Sequence, residues 1–145
     1  MDLTREFPRG PREQLGGLML LPRAIDKARA QLQGTLGEYI YYDCRFNRKL
    51  FNTLGVTDDE FLDAVRRSPS DDEVVEWIGD FVRPERDKVD KMHAWVLHNE
   101  PSADEHKEFC DELEKIDPGN DYVNTWTDLI DLEEGRLEKE SSTAT

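Results

Sequence analysis

Residues 57–81 read TDDEFLDAVRRSPSDDEVVEWIGDF, and this stretch decides the fold class. Thr57 and Ser70 each stand three residues before a glutamate, Glu60 and Glu73, and each precedes apolar residues at helical spacing. That is the pattern of a capping box. The hydroxyl accepts from the third backbone N–H and the glutamate reaches back to the first, so donors that a helix start leaves orphaned are satisfied locally. Acidic residues in the same turn suit the positive end of the helix dipole. The first box leads into Phe61, Leu62 and Val65. The second leads into Val74, Val75, Ile78 and Phe81, with Pro84 as the stop.

Working outward, Ser102-x-x-Glu105 is a third box, opening a helix with Phe109, Leu113 and Ile116 that Pro118-Gly119 ends. Between the second and third boxes, Val89, Met92 and Val96 mark a helix within 85–99. Upstream, Pro22 to Gln33 carries an Ile25, Ala28, Leu32 stripe stopped by Gly34. Asp43 is a candidate N-cap for a helix with Phe46, Leu50, Phe51 and Leu54 that Gly55 terminates. A last helix is expected from near Tyr122 to Glu134, packing Trp126, Leu129 and Ile130. Residues 39–42, YIYY, have β-propensity but no second strand to pair with, and are expected as a loop or helical turn. The expected fold is all-α, a single compact domain of about six to seven short helices, its short linkers implying antiparallel neighbours. Residues 1–17 are expected as an extended N-terminal arm, 18–136 as the helical domain and 137–145 as a frayed tail.

Composition narrows function chiefly by exclusion. The net charge is −14, yet residues 1–56 hold nine Lys/Arg against six acids, leaving ten against 27 in the remainder. So acidic a chain is ill suited to nucleic acid, whose phosphate backbone demands surplus Lys/Arg. Much of the acidity is explained by the boxes, and the charge asymmetry is expected from a basic face packing on an acidic one, with a local anion site as the alternative. No run of about 20 apolar residues is present to span a membrane. The N-terminus has no apolar signal region, so a cytoplasmic location is expected. Cys44 and Cys110 are too few for a disulfide framework and are expected as free thiols.

Three constellations could carry chemistry. His106 and Cys110, four apart on one helical face, could share a metal, with His93 or His98 completing a site; against this, such spacing arises often by chance and Cys110 adjoins the core residue Phe109. Cys44 or Cys110 could serve as a nucleophile, but no local signature frames either one. The third is richer. Arg23, Asp26 and Lys27 align on one face near a helix start, and Tyr39 and Tyr41 follow shortly with phenol hydroxyls. Arg, Lys and Tyr converging on a cavity would hold a carboxylate or phosphate. The plainer account is a surface Arg23/Lys27–Asp26 pairing with core tyrosines.

The segments Asp2-Leu3-Thr4-Arg5, Pro8-Arg9-x-Pro11-Arg12, Leu15-Gly16-Gly17, Leu21-Pro22-Arg23-x-Ile25-Asp26-Lys27-Ala28-Arg29 and Gly34-x-x-Gly37-Glu38-Tyr39, with the late Trp126-x-Asp128-Leu129-x-Asp131-Leu132-Glu133-Glu134-Gly135-Arg136, resemble the bacterial domain of unknown function 5069 family over nearly the whole chain. The resemblance implies a small cytoplasmic bacterial protein and supplies no activity, cofactor or partner. The residues themselves lead to a binding module for a small anionic molecule or a protein partner. An enzyme acting on a small anion through Arg23, Lys27, Tyr39 and Tyr41 is the alternative, and a metal protein using His106 and Cys110 a third. Whether the chain is an enzyme, which cofactor it uses and its oligomeric state are left open by the sequence.

Overall fold

In the computed structural model, which describes residues 1–140, the first box forms in full. Thr57 Oγ1 accepts from the Glu60 N–H and Glu60 Oε1 from the Thr57 N–H, both at 3.1 Å. Ser70 Oγ accepts from the Glu73 N–H at 3.3 Å. Thr57→Ala is expected to cost about 1 kcal/mol by removing the hydroxyl half of its box. A lower urea midpoint with unchanged slope would show this. The last part of the expected tail, 141–145, lies outside the described residues.

The described residues form seven α-helices and a two-stranded hairpin: β1 (Gln14–Leu15), β2 (Leu18–Met19), α1 (Leu21–Gln33), α2 (Arg45–Leu54), α3 (Asp58–Arg67), α4 (Asp71–Trp77), α5 (Arg86–His98), α6 (His106–Ile116) and α7 (Trp126–Glu133). The fold is therefore all-α apart from a hairpin of two residues per strand. That hairpin exists because Gly16 and Gly17 both take positive φ, 59° and 77°, as a tight two-residue turn requires. A Cβ on Gly16 would also sit 3.0 Å from Val75 Cγ1. Among the described residues no helix is long and apolar enough to cross a membrane.

The chain divides into two compact units, Met1–Val96 and Leu97–Thr145. In the first, α1 packs on α3 and on the hairpin, and α3 packs on α2 and α4. Most of α1 is buried, polar residues included, whereas Leu32 in its last turn is exposed. The core carries a run of rings: Tyr41 to Phe51 at 5.9 Å, Phe51 to Phe61 at 4.7 Å and Phe61 to Trp77 at 6.3 Å between centroids. The N-terminal arm is tied down by backbone bonds, Leu3 N–H to Thr35 O at 2.9 Å and Leu20 N–H to Pro11 O at 3.1 Å. Gly37 lets the 34–42 loop approach that arm, since its φ is 61° and a Cβ there would meet Leu3 O at 3.1 Å.

Two helix boundaries of this unit differ from expectation in instructive ways. Asp43 is not the N-cap of α2; it takes a positive φ of 56° and Cys44 holds the capping position. The helix opened by Ser70 continues past Trp77 as a π-turn, Ile78–Val82, closed by an Arg83 N–H to Ile78 O bond of 2.8 Å. The extra residue in that turn rotates Phe81 off the Val74–Ile78 face, and its side chain is 78% exposed instead of buried. In α5, Val89, Met92 and Val96 are buried as the spacing predicts.

In the second unit α6 packs on α7, with Phe109 and Trp126 edge to face at 5.1 Å. The third box is only half realised. Glu105 accepts from the Ser102 N–H at 3.0 Å, but residues 103–105 make a turn and the helix starts at His106. The last helix begins at Trp126, not near Tyr122, because Thr125 is its cap and accepts from the Asp128 N–H at 3.1 Å. Asn99 braces that start: its side chain donates to Thr127 Oγ1 and accepts from the Thr127 N–H, at 3.0 and 3.2 Å.

Candidate functional site

Pro22 in the first turn of α1 starts a helix whose three- and four-residue spacing puts Arg23, Asp26 and Lys27 on one face. All three are buried, at 3%, 3% and 4% exposure. Gly34, left-handed at φ 71°, stops α1, and the returning loop lays the Tyr39 ring over that face. Arg23 Cζ lies 5.8 Å and Lys27 Nζ 5.7 Å from the ring centroid, within range for cations held by the ring's negative face.

Lys27 also donates to Cys44 Sγ at 3.2 Å. Cys44 is buried and is the residue from which α2 starts, so its sulfur meets the amide N–H groups of Asn47 and Phe46. Burial pushes the Cys44 thiol up, but the Lys27 charge, its hydrogen bond and the two amides outweigh this and hold the thiol below its ordinary value. Sequence reasoning missed this residue as part of the site. Its one local sign was its place immediately before the Phe46–Leu50 stripe, the position of a helix cap.

Asp26 has a different role. Its Oδ2 accepts from Arg9 N–H at 2.8 Å and Arg9 Nε at 3.1 Å, and its Oδ1 from Arg9 Nη2 at 3.0 Å. The same guanidinium donates through Nη1 to Asp71 Oδ2 at 2.8 Å, so Arg9 joins the arm to α1 and α4. Burial works against the Arg9 charge, and the bonds to Asp26 and Asp71 more than restore it, raising its pKa. Arg23 Nη1 donates to the Arg9 carbonyl at 3.2 Å, bringing the arm to the edge of the cluster.

Tyr41 is separate again. Its hydroxyl donates to Asp58 O at 2.6 Å, at the start of α3, and its ring meets Tyr42 and Phe51. Burial first, then the nearby Asp58, Tyr42 and Asp59, raise its pKa strongly. Of the five residues proposed from the sequence, the fold thus gathers Arg23, Lys27 and Tyr39, assigns Asp26 to Arg9, and assigns Tyr41 to α3. Arg9 and Cys44 join the cluster from outside that set.

His106 and Cys110 lie on one face of α6 with Nε2 and Sγ 3.5 Å apart, both side chains exposed. Among the described residues no group of three or more His, Cys, Asp or Glu is placed to hold a metal ion. His93 is occupied otherwise, its Nε2 accepting from the Met19 N–H at 3.2 Å. Compared with known proteins, residues 5–136 match the family model described as a domain of unknown function (DUF5069). No curated protein matches the chain.

Proposed function

The chain belongs to the DUF5069 family, whose description carries no activity, and from its own side chains we propose that it binds a small anionic ligand, a carboxylate or phosphate, at Arg23 and Lys27 beside Tyr39. The observation that carries this is the pairing of a guanidinium fork and an ammonium, both buried, against one ring. Such a pair suits the oxygens of a planar or tetrahedral anion, the fork bidentately and the ammonium as a point charge. A thermal-shift panel of carboxylated and phosphorylated metabolites tests it. A ligand present at 100 times its Kd stabilises the folded state by about 2.7 kcal/mol. At least one anion is expected to raise the Tm of the parent protein and to leave Arg23→Met and Lys27→Met unmoved. No shift with any anion, or equal shifts in the variants, would turn the reading to a protein partner.

A second reading, an enzyme acting on that anion, is favoured by Cys44. The thiolate is the nucleophilic form, and Lys27 Nζ lies 3.2 Å from its sulfur. Alkylation by iodoacetamide, followed by mass spectrometry of the Cys44 peptide, is expected to show a pH midpoint below the ordinary thiol value of about 8.5. Below that midpoint the thiol is protonated and the rate falls; above it the rate is flat. Lys27→Met should move the midpoint upward. The same peptide labelled in urea-unfolded protein serves as the reference. A Cys44 midpoint at or above the ordinary value would remove the enzyme reading.

A further inference from the structure

A second group of cations lies on α2 and α5 and shares no residue with the Tyr39 cluster. Lys49, Asn52 and Thr53 follow a three- and four-residue spacing on α2, and Lys88, Lys91 and Met92 repeat it on α5. Each triplet therefore occupies one helical face. The six residues line a single cavity of about 210 Å³, floored by the fully buried Met92.

These lysines stand out by their lack of partners. With 33 acids to 19 bases, the chain offers carboxylates freely, and its helical surface uses them. Arg66 and Arg67 share Asp63, Arg86 pairs with Asp90, Lys107 with Asp111 and Lys115 with Glu112. Among the described residues, Lys49, Lys88 and Lys91 pair with no carboxylate. Lys49 rests instead over the Trp95 ring, its Nζ 5.5 Å from the centroid, and Trp95 is braced edge-on by Phe46 at 5.1 Å. The Asn52 amide makes no hydrogen bond within the described chain, which leaves its two donors available.

Three lysines line one small cavity, and Lys88 and Lys91 stand at neighbouring positions along one helix, where like charges repel. In so acidic a chain the repulsion would be easily relieved by one carboxylate among them, and none is placed there. We infer that this groove binds an oligophosphate, whose several negative charges match three lysines acting as point-charge donors, with the Asn52 amide as a neutral one. A single carboxylate would leave most of that positive charge unmet.

The test is a titration of the full chain, by calorimetry, with inorganic tripolyphosphate and with ATP. Saturable binding that weakens as salt is raised is expected for both. Binding of ATP alone also supports the site and assigns a nucleotide as the bearer of the phosphates. Lys49→Gln, Lys88→Gln and Lys91→Gln should each weaken binding about threefold to fivefold, as for a partly exposed charge pair. Arg23→Met, once circular dichroism shows it folded, should keep the lysine-dependent part of the binding, which separates this site from the one proposed at Tyr39. The lysine heads lie at the surface, so the variants are expected to fold, as circular dichroism would verify. Failure of both compounds to bind overturns the inference. So does binding whose affinity and stoichiometry are both unchanged when all three lysines are replaced, or loss of the lysine-dependent binding in folded Arg23→Met.

Discussion

Replacing Arg9 with Met is expected to lower the unfolding free energy by about 3 kcal/mol, the low end for breaking a buried ion pair from one side. The loss comes from what is left behind. The Asp26 side chain is only 5% exposed, and it would keep the Arg9 backbone N–H but lose both guanidinium bonds. Asp71 is more open, at 34%, so its share of the effect is small. Urea unfolding of Arg9→Met, of Asp26→Asn and of the double variant separates these contributions. Because the cost is that of an uncompensated buried charge, the double variant should be more stable than Arg9→Met alone. If it is less stable, the uncompensated-charge account fails.

Phe61→Ala should be at least as damaging, at about 3–5 kcal/mol. Phe61 is fully buried between Phe51 and Trp77, so truncation both loses apolar burial and opens a hole in the run of rings. Phe61→Leu should cost less, because more of the volume is kept. The instructive comparison is Phe81→Ala. From the sequence alone Phe81 reads as the same kind of core residue, yet beyond the π-turn it is exposed, and its loss should stay within about 0.5 kcal/mol. Chemical denaturation of the two alanine variants side by side checks the ring cluster and the π-turn together. Equal effects would contradict the observed placement of Phe81.

What was legible in the sequence was what depends on neighbours three or four residues away. The box at Thr57, the hydroxyl cap at Ser70, the glycine stops at Gly34 and Gly55, and the core stripes of α2, α3 and α5 all belong there. The π-turn was not legible, because a one-residue insertion leaves the apolar spacing of Val74, Ile78 and Phe81 looking regular. Thr125 does not read as a capping box because the acid three residues on is Asp128, where the other boxes have glutamate. In the candidate site, the shared face of Arg23 and Lys27 followed from spacing. Tyr39 and Tyr41 are two apart in one loop, and nothing local tells which one faces α1. Asp26 and Cys44 are each settled by a partner 17 residues away, Arg9 for the first and Lys27 for the second. The lysine groove shows the same limit, since each triplet is visible alone but only the fold brings α2 and α5 together.

A chain leaving the ribosome exposes Arg9 long before Asp71 exists. The two are 62 residues apart, which at 5–20 residues per second is an interval of roughly 3–12 s. Asp26 arrives only 17 residues after Arg9, yet it presents its carboxylate correctly only once α1 is helical. Arg9 is therefore made before both of its partners and can be held by both only once the start of α4 exists. In the folded chain the arm works as a latch across α1 and α4, fastened by a single guanidinium.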